Sequence, residues 1–154
     1  MASNKAPVNT NIVIREMEAG DESRWRVLWS QYLAFYEVDL APETTDTIFA
    51  RLITGSPHFV FMGEIDGVVQ GFVHGLPHAS TWAAENYCYL EDLYVAPDAR
   101  GTGIARALIE AVYAEADRRQ CARVYWHTDL GNERARSLYD KVATLSDFVQ
   151  YRRV

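Results

Sequence analysis

The chain has 154 residues, of which 49% are hydrophobic and 23% are charged, and its formal net charge is −6 at pH 7. This size and composition predict one globular domain with a sizeable core and exclude a disordered chain. The acidic balance disfavours DNA or RNA as the main partner, and no apolar run reaches membrane-spanning length.

The first residues of the chain bear on its domain organisation, and its cysteines bear on the cellular compartment. Residues 1–10 are polar and lack the apolar stretch of a signal peptide, so we expect a flexible lead to a single domain over residues 11–154. Cys88 and Cys121 lie far apart without a Cys-x-x-Cys motif. Free thiols in a reducing compartment are therefore expected, which favours the cytoplasm.

The first third of the chain predicts one strand and two helices. Alternating polarity over residues 11–17 predicts the strand. Asp21 can cap a helix in which apolar side chains recur at three and four residues from Trp25 to Tyr36, and this stripe is expected to face the core. A shorter helix around residues 48–53 is predicted to end at Gly55.

The middle of the chain predicts a hairpin and a further strand. Asp66-Gly67 separates two apolar runs, residues 58–65 and 68–75, and this dipeptide is the strongest short signal of a hairpin turn. Residues 87–95 form another strand-like run. Two antiparallel strands and a third strand are expected here.

The last third alternates strand-like and helix-like segments. Helices are predicted over residues 104–119 and 132–141, with strands over residues 123–128 and 148–152. A strand, helix, strand succession implies a right-handed parallel crossover. The full predicted order is β-α-α-β-β-β-α-β-α-β, a mixed α/β domain.

One turn in this succession has the features of a phosphate site. Arg100-Gly101-Thr102-Gly103-Ile104-Ala105 joins a predicted strand to a predicted helix. A helix start leaves backbone N–H groups unpaired and carries partial positive charge, and glycines let the backbone approach a ligand. A Walker loop would need Lys where Ile104 stands, and a dinucleotide fingerprint would need a small residue in place of Arg106.

Three segments together resemble one family. With residues 89–97 and 132–141, the turn resembles the GNAT superfamily of acyl-CoA-dependent N-acetyltransferases. It matches the family's Arg/Gln-x-x-Gly-x-Gly/Ala signature, and the later segment matches its block of Asn followed by Leu-Tyr-x-Lys. Leu-Glu-Asp-Leu-Tyr-Val and Val-Tyr-Trp-x-Thr-Asp are most similar to the fungal histone and polyamine acetyltransferases and the animal diamine acetyltransferases. One departure is Val142-Ala143-Thr144, where the family usually continues Lys-x-Gly-Phe.

The resemblance implies a fold and an acyl donor. The fold would be a twisted mixed sheet flanked by helices, with acetyl-CoA entering where the strands over residues 87–95 and 123–128 splay apart. The residues expected to hold acetyl-CoA lie on the first of these strands, in the turn and in the second block, with Arg136 as an alternative to Arg134. They are Leu93, Tyr94, Val95, Arg100, Gly101, Thr102, Gly103, Ile104, Ala105, Asn132, Arg134, Tyr139 and Lys141.

Amine acetylation requires either a proton acceptor or the selection of the neutral amine, because an alkylammonium with a pKa of about 10.4 is neutral in only about one molecule in 2,500 at pH 7. In the diamine acetyltransferases that this chain resembles, the glutamate matching Glu91 has this role. Asp92 and an ordered water are alternatives, and since neighbouring strand residues point to opposite faces, only one of the two carboxylates should face the cleft. The resemblance assigns Tyr139 as the acid that protonates the departing thiolate.

The acceptor is expected to be a cationic small amine, such as a polyamine, a diamine or a lysine-like amine. The predicted substrate residues are Tyr36, Glu37, Asp39, Trp82, Glu91, Asp92 and His127. The alternative acceptor is a protein or histone lysine, and the alternative function is that of a non-catalytic acyl-CoA-binding module.

The histidines are not spaced as metal ligands, so no metal is expected. A homodimer is the assembly considered.

Overall fold

The computed structural model of the protein describes residues 10–154, so residues 1–9 of the predicted lead lie outside the described part. Its helices and strands, in chain order, are β1 Ile12–Glu16, α1 Glu22–Phe35, α2 Pro42–Thr54, β2 Phe59–Ile65, β3 Val68–His78, β4 Tyr87–Val95, α3 Ile104–Arg118, β5 Arg123–Tyr125 and α4 Glu133–Val142. The predicted order is confirmed as far as α4.

The strands form one mixed sheet in the order β1-β2-β3-β4-β5. Neighbouring strands from β1 to β4 are antiparallel, whereas β5 runs parallel to β4. Asp66 and Gly67 join β2 to β3 with φ of 49° and 81°. Positive φ at both central residues is what the type I′ hairpin turn requires, so the predicted turn is confirmed.

Helices cover both faces of the sheet, and each face has its own core. On one face α3 buries Ile104, Leu108, Ile109 and Val112 against Val73 and Leu90 of the sheet. On the other face α1 and α2 bury Trp25, Leu28, Trp29 and Leu52 against Met62, Phe72 and Tyr94. The apolar stripe predicted for the first helix is therefore a core face.

The sheet opens at its parallel edge. β5 pairs with β4 only from Tyr87 to Tyr89, opposite Arg123 to Tyr125. Within the described residues, no strand pairs with that edge of β4 from Leu90 to Val95. The predicted splay between these strands is thus present and positions the site described below.

Three sequence predictions need correction. No strand is present over residues 148–152 or elsewhere in residues 143–154; Phe148 and Tyr151 are 77% and 94% exposed, and without a paired neighbour no ladder forms. The parallel strand ends at Tyr125 instead of residue 128. Asp21 does not cap α1, because its carboxylate accepts hydrogen bonds from Arg15 and from the Glu18 N–H.

Candidate active site

Two cavities lie beside the C-terminal end of α1 and share part of their walls. The first, of about 480 Å³, is bordered by the turn at residues 100–106 and is called the turn cavity. The second, of about 720 Å³, is bordered by Glu91 and Asp92 and is called the bulge cavity. Tyr32 and Tyr36 line both, so a ligand in one cavity lies next to a ligand in the other.

Backbone groups dominate the turn cavity. Gly101 and Gly103 have φ of 79° and 93°, values that side-chain-bearing residues rarely adopt, and a Cβ added at either would enter open space. The first helical bond of α3 runs from the Ala107 N–H to the Gly103 carbonyl, which leaves the preceding N–H groups of the helix start without a helical partner. This arrangement suits a diphosphate.

Cationic side chains surround the same space. Arg100, Arg106, Arg134 and Lys141 line the turn cavity together with Asn132. Asn132 also caps α4, since its side-chain oxygen accepts a hydrogen bond from the Ala135 N–H at 3.3 Å, as predicted. Arg106 is not among the predicted cofactor residues, and its guanidinium is ion-paired with the Glu110 carboxylate at 3.0 Å. The positive charge at the turn therefore comes mainly from the predicted cations Arg100, Arg134 and Lys141.

Two predicted or alternative cofactor residues do not present their side chains to this cavity. The Thr102 hydroxyl donates to the Ala99 carbonyl at 2.6 Å and stabilises the turn internally. The Arg136 guanidinium donates to the Leu130 carbonyl at 2.7 Å and holds the loop before α4. Their contribution is to the shape of the site.

The open edge of β4 forms another wall of the turn cavity. Leu93, Tyr94 and Val95 line it, as predicted. An extended ligand that carries amide groups can add to such an edge as a further strand would. Glycine turn, cationic rim and open strand edge thus fit the pyrophosphate and the amide-bearing arm of acetyl-CoA.

Tyr139 of α4 lines the turn cavity, and its protonated hydroxyl can donate a hydrogen bond to a ligand there. Its ring packs edge-on against Trp126 with centroids 5.3 Å apart. Burial raises the pKa of Tyr139 to about 12, so the hydroxyl keeps its proton at neutral pH. Within residues 10–154 this hydroxyl makes no hydrogen bond, which leaves it available to a ligand.

A β-bulge shapes the second cavity. In the pairing of β3 with β4, His74 lies opposite Asp92 and Gly75 lies opposite Leu90, so Glu91 is an extra residue without a partner. A bulge breaks the alternation of side chains along a strand. Glu91 and Asp92 consequently both line the bulge cavity, and the expectation that only one of them faces the cleft is wrong.

Glu91 has the properties of a base. It is exposed, and its carboxylate makes no hydrogen bond within the described residues. Loss of water within the concave cavity raises its pKa, and the negative charge of Asp92 raises it further, while His74 and Arg51 act in the opposite direction. A carboxylate with a raised pKa binds a proton more readily near neutral pH.

Asp92 is held by a hydrogen-bonded network that sequence reasoning missed. Its Oδ1 accepts from the Tyr32 hydroxyl at 2.6 Å, and its Oδ2 lies 2.9 Å from Nδ1 of His74. The Trp25 indole N–H donates to Nε2 of His74 at 3.1 Å. Burial raises the pKa of Tyr32, and the charge of Asp92 and the Tyr32–Asp92 hydrogen bond raise it further. The Tyr32 hydroxyl therefore keeps its proton and acts as a donor.

The lining of the bulge cavity carries both signs of charge. Besides Glu91, Asp92 and Asp129, it includes Arg51 from α2 and Arg152 from the C-terminal segment. Arg51 makes no side-chain hydrogen bond or ion pair within the described chain, and the Arg152 guanidinium donates only to the Gln150 side chain at 3.0 Å. Neither arginine was predicted, because each is remote in sequence from the recognised motifs.

The other predicted substrate residues divide into two groups. Tyr36 and His127 line the bulge cavity, and Nδ1 of His127 lies 3.1 Å from the Tyr89 hydroxyl. Glu37, Asp39 and Trp82 do not line it, and Trp82 is 76% exposed. Val38 and Leu40 take the places in the lining that the acidic loop residues had been expected to fill.

Residues 10–154 contain neither a cluster of metal-ligating side chains nor a helix that could span a membrane. No group of at least three His, Cys, Asp or Glu side chains is placed to hold a metal ion there. No helix in the same stretch combines the length and apolar character needed to cross a bilayer.

Comparison with known proteins agrees with this geometry. The sequence model of the acetyltransferase (GNAT) family matches residues 24–143. The chain is 41% identical over 159 residues to the D-amino-acid N-acetyltransferase HPA3 of Saccharomyces cerevisiae, with 98% of each chain covered.

Solved structures share the fold. A ribosomal-protein-alanine N-acetyltransferase from Brucella melitensis biovar Abortus 2308 superposes with a TM-score of 0.80 at 22% identity, covering 94% of this chain and 99% of its own. The aminoglycoside N-acetyltransferase AAC(6')-Iy, solved in complex with CoA, gives a TM-score of 0.82 at 20% identity, with 97% and 98% covered.

Proposed function

The chain belongs to the acetyltransferase (GNAT) family and is an N-acetyltransferase that uses acetyl-CoA, and we propose that its acceptor is the primary amine of an amino acid. The observation that carries this proposal is the mixed charge of the bulge cavity, where Glu91 and Asp92 share the lining with Arg51 and Arg152. An amino acid carries the complementary pair, an ammonium and a carboxylate.

The residues of the turn cavity would hold acetyl-CoA, which supplies an activated acetyl thioester when bound. The N–H groups around Gly103 would meet the pyrophosphate, and Arg134 and Lys141 would add positive charge. The backbone of Leu93 and Val95 would bond the amides of the extended arm. These residues bind and orient the donor, so the protein needs no nucleophile of its own.

Glu91 would accept a proton from the amine, and Tyr139 would donate a hydrogen bond to the sulfur. Glu91 takes the proton that the ammonium must lose before its nitrogen can bond to the acetyl carbon. The Tyr139 hydroxyl would donate a hydrogen bond to the thioester sulfur. With a pKa of about 12, Tyr139 is a weaker acid than a thiol of pKa about 8.5, so this bond would stabilise negative charge on the sulfur. The nitrogen would lose its second proton to solvent as the amide forms, and the sulfur would gain one proton from solvent.

Arg51 and Arg152 would receive the acceptor's carboxylate. A guanidinium can donate two parallel hydrogen bonds to a carboxylate, which orients the ligand as well as binding it. The D configuration is proposed from the named activity of the HPA3 relative.

The cationic amine predicted from sequence is the second candidate, and the acidic residues Glu91, Asp92 and Asp129 favour it. A polyamine carries positive charge only, so Arg51 and Arg152 would repel it. A lysine-like amino acid would satisfy both requirements. The narrower resemblance to polyamine and histone acetyltransferases is not what the HPA3 comparison indicates, so these acceptors, including a protein lysine, rank below amino acids.

An amine panel tests the proposal. Thiol release from acetyl-CoA and the mass of the acetylated product would be measured with D- and L-phenylalanine, D-lysine, D-phenylalaninamide, tyramine, spermidine and a histone-tail peptide. We expect the D-amino acids to give the highest kcat/KM. Faster turnover of spermidine or of the peptide than of every amino acid would replace the proposed acceptor and leave the acetyltransferase assignment intact.

Assembly and location remain predictions. Leu145, Phe148, Val149 and Tyr151 of the C-terminal segment are all more than two-thirds exposed, and such an apolar surface favours the homodimer considered from sequence. Sedimentation of the purified protein tests it. The cytoplasm stays the expected location.

A further inference from the structure

One buried histidine has a bonding pattern that packing alone does not require. His74 is 2% exposed, and both of its ring nitrogens are engaged by polar side chains from elsewhere in the chain. Trp25 contacts one nitrogen from α1, and Asp92 contacts the other from β4. A chain of three side chains thus runs from the core to the rim of the bulge cavity.

The direction of each hydrogen bond in this chain follows from its first member. An indole N–H can only donate, so Nε2 of His74, 3.1 Å from Nε1 of Trp25, must present its lone pair. A neutral imidazole then carries its proton on Nδ1, which donates to Oδ2 of Asp92 at 2.9 Å. In this hydrogen bond Nδ1–H of His74 is accordingly the donor and Oδ2 of Asp92 is the acceptor.

Asp92 therefore accepts two hydrogen bonds, one on each oxygen, since the Tyr32 hydroxyl donates to Oδ1 at 2.6 Å. Acceptance on both oxygens is the pattern of an ionised carboxylate. We propose that His74 is a positioning residue: oriented by Trp25, it fixes Asp92 as a negative charge beside Glu91, and that charge sets the lower pH limit of acetyl transfer. This inference rests on the proposed role of Glu91 as the base.

Other charged and titratable groups line the same cavity. They are Tyr32 and Tyr36 from α1, Arg51 from α2, His58 before β2, Tyr89 from β4, His127 and Asp129 after β5, and Arg152 from the C-terminal segment. Among the charges that act on Glu91, Asp92 makes the largest contribution and raises its pKa, whereas His74 and then Arg51 lower it. His74 also influences this balance by holding Asp92.

Removal of His74 and removal of the Asp92 charge should move the pH profile in the same direction. Without the Nδ1 donor, Asp92 is no longer held as a fixed negative charge, and a proton that it takes up leaves Glu91 free to act as the base at lower pH. Without the Asp92 charge, Glu91 alone titrates, and it also does so at lower pH. A residue needed only for packing would change the height of the profile but not its position.

The experiment measures kcat/KM against pH with the best amine of the panel, whichever class it belongs to. Asp92→Asn should move the acid limb down by about one pH unit, and His74→Leu should move it in the same direction by up to that amount. His74→Asn, which keeps an N–H donor near the position of Nδ1, should restore at least part of the wild-type limb. An acid limb that stays in place or moves up in His74→Leu would overturn the proposal.

A second measurement covers the case in which His74→Leu fails to fold. The ¹⁵N chemical shifts of His74 in the wild-type protein should show the Nδ1–H tautomer of the neutral ring, and the Nε2–H tautomer would overturn the proposal. Glu91→Gln separates this inference from the proposed function. If that variant retains full activity, the assignment of the base fails, whatever the state of His74.

Discussion

The turn cavity and the bulge cavity are built in different ways. Glycine backbone, a helix start and an open strand edge form much of the turn cavity, and most of it comes from residues 93–106 and 132–141. The bulge cavity is formed by side chains from α1, α2, β3, β4 and the C-terminal segment. A site that binds its ligand through the backbone of one turn has a compact sequence motif. A site that binds its ligand through side chains from distant parts of the chain has no such motif.

This contrast predicts that substitutions in the two cavities will alter different quantities. The largest effect is expected at Glu91, where Glu91→Gln removes the proton acceptor but keeps the size of the side chain. We expect kcat/KM for the amine to fall about 10³-fold. Calorimetry should show unchanged affinity for CoA, because Glu91 does not line the turn cavity. Equal loss of CoA affinity would show that the cavities are not separable.

Tyr139→Phe should give the next largest effect. The ring and its contact with Trp126 are kept, but the hydroxyl that can stabilise the departing sulfur is lost. A decrease in kcat of about 10²-fold is expected, with CoA affinity retained. Pre-steady-state thiol release measures it, and full turnover by the variant would leave Tyr139 with a packing role only.

Gly103→Glu should act on the donor alone. A carboxylate at a helix start that binds a diphosphate repels it, and the backbone at φ of 93° resists a side chain. We expect CoA affinity to fall by about tenfold or more, with little change in KM for the amine. Gly103→Asn is the matched control, because asparagine tolerates positive φ and adds no charge. Equal loss in both variants would assign the effect to backbone strain.

The smallest effect is expected outside both cavities. Hydrogen bonds from Arg118, and then from Arg119, hold the pKa of buried Glu115 down to about 2. A pKa lowered on folding stabilises the protein above the ordinary glutamate value, and this stabilisation disappears as the pH falls from about 4.5 towards about 2.

Glu115→Gln should therefore cost about 1 kcal/mol at pH 7, or about 2–4 °C in Tm, and less as acid is added. Differential scanning calorimetry at pH 7 and pH 3 measures both values. The kinetic constants should stay at wild-type values. A pH-independent loss of stability would point to packing instead of charge.

Local signals account for the part of the fold that sequence could predict. Asp66-Gly67 and Gly55 place their turns without help from the rest of the chain, and the glycines at 101 and 103 mark the turn cavity in the same way. The bulge at Glu91 could not be predicted, because it depends on how β4 aligns with β3. The network around His74 depends on contacts between residues 49 and 18 positions apart.

In the C-terminal segment, the sequence predicts a strand that the folded chain does not form. The segment's aromatic and β-branched side chains are typical of a strand, yet the described chain provides no neighbour with which residues 148–152 pair. Arg152 instead lines the bulge cavity, and only the folded chain brings it there with Arg51. Residue type alone gave no reason to connect two arginines that lie about a hundred positions apart.

The most direct test of the account compares D-phenylalanine with D-phenylalaninamide in the wild-type protein and in the double variant Arg51→Ala and Arg152→Ala. The two amines differ only in the carboxylate that these arginines are proposed to bind. The wild-type protein should prefer the acid by about tenfold or more in kcat/KM, and the double variant should lose that preference through a higher KM for the acid. An equal preference in both proteins, or none in the wild type, would contradict the amino-acid assignment.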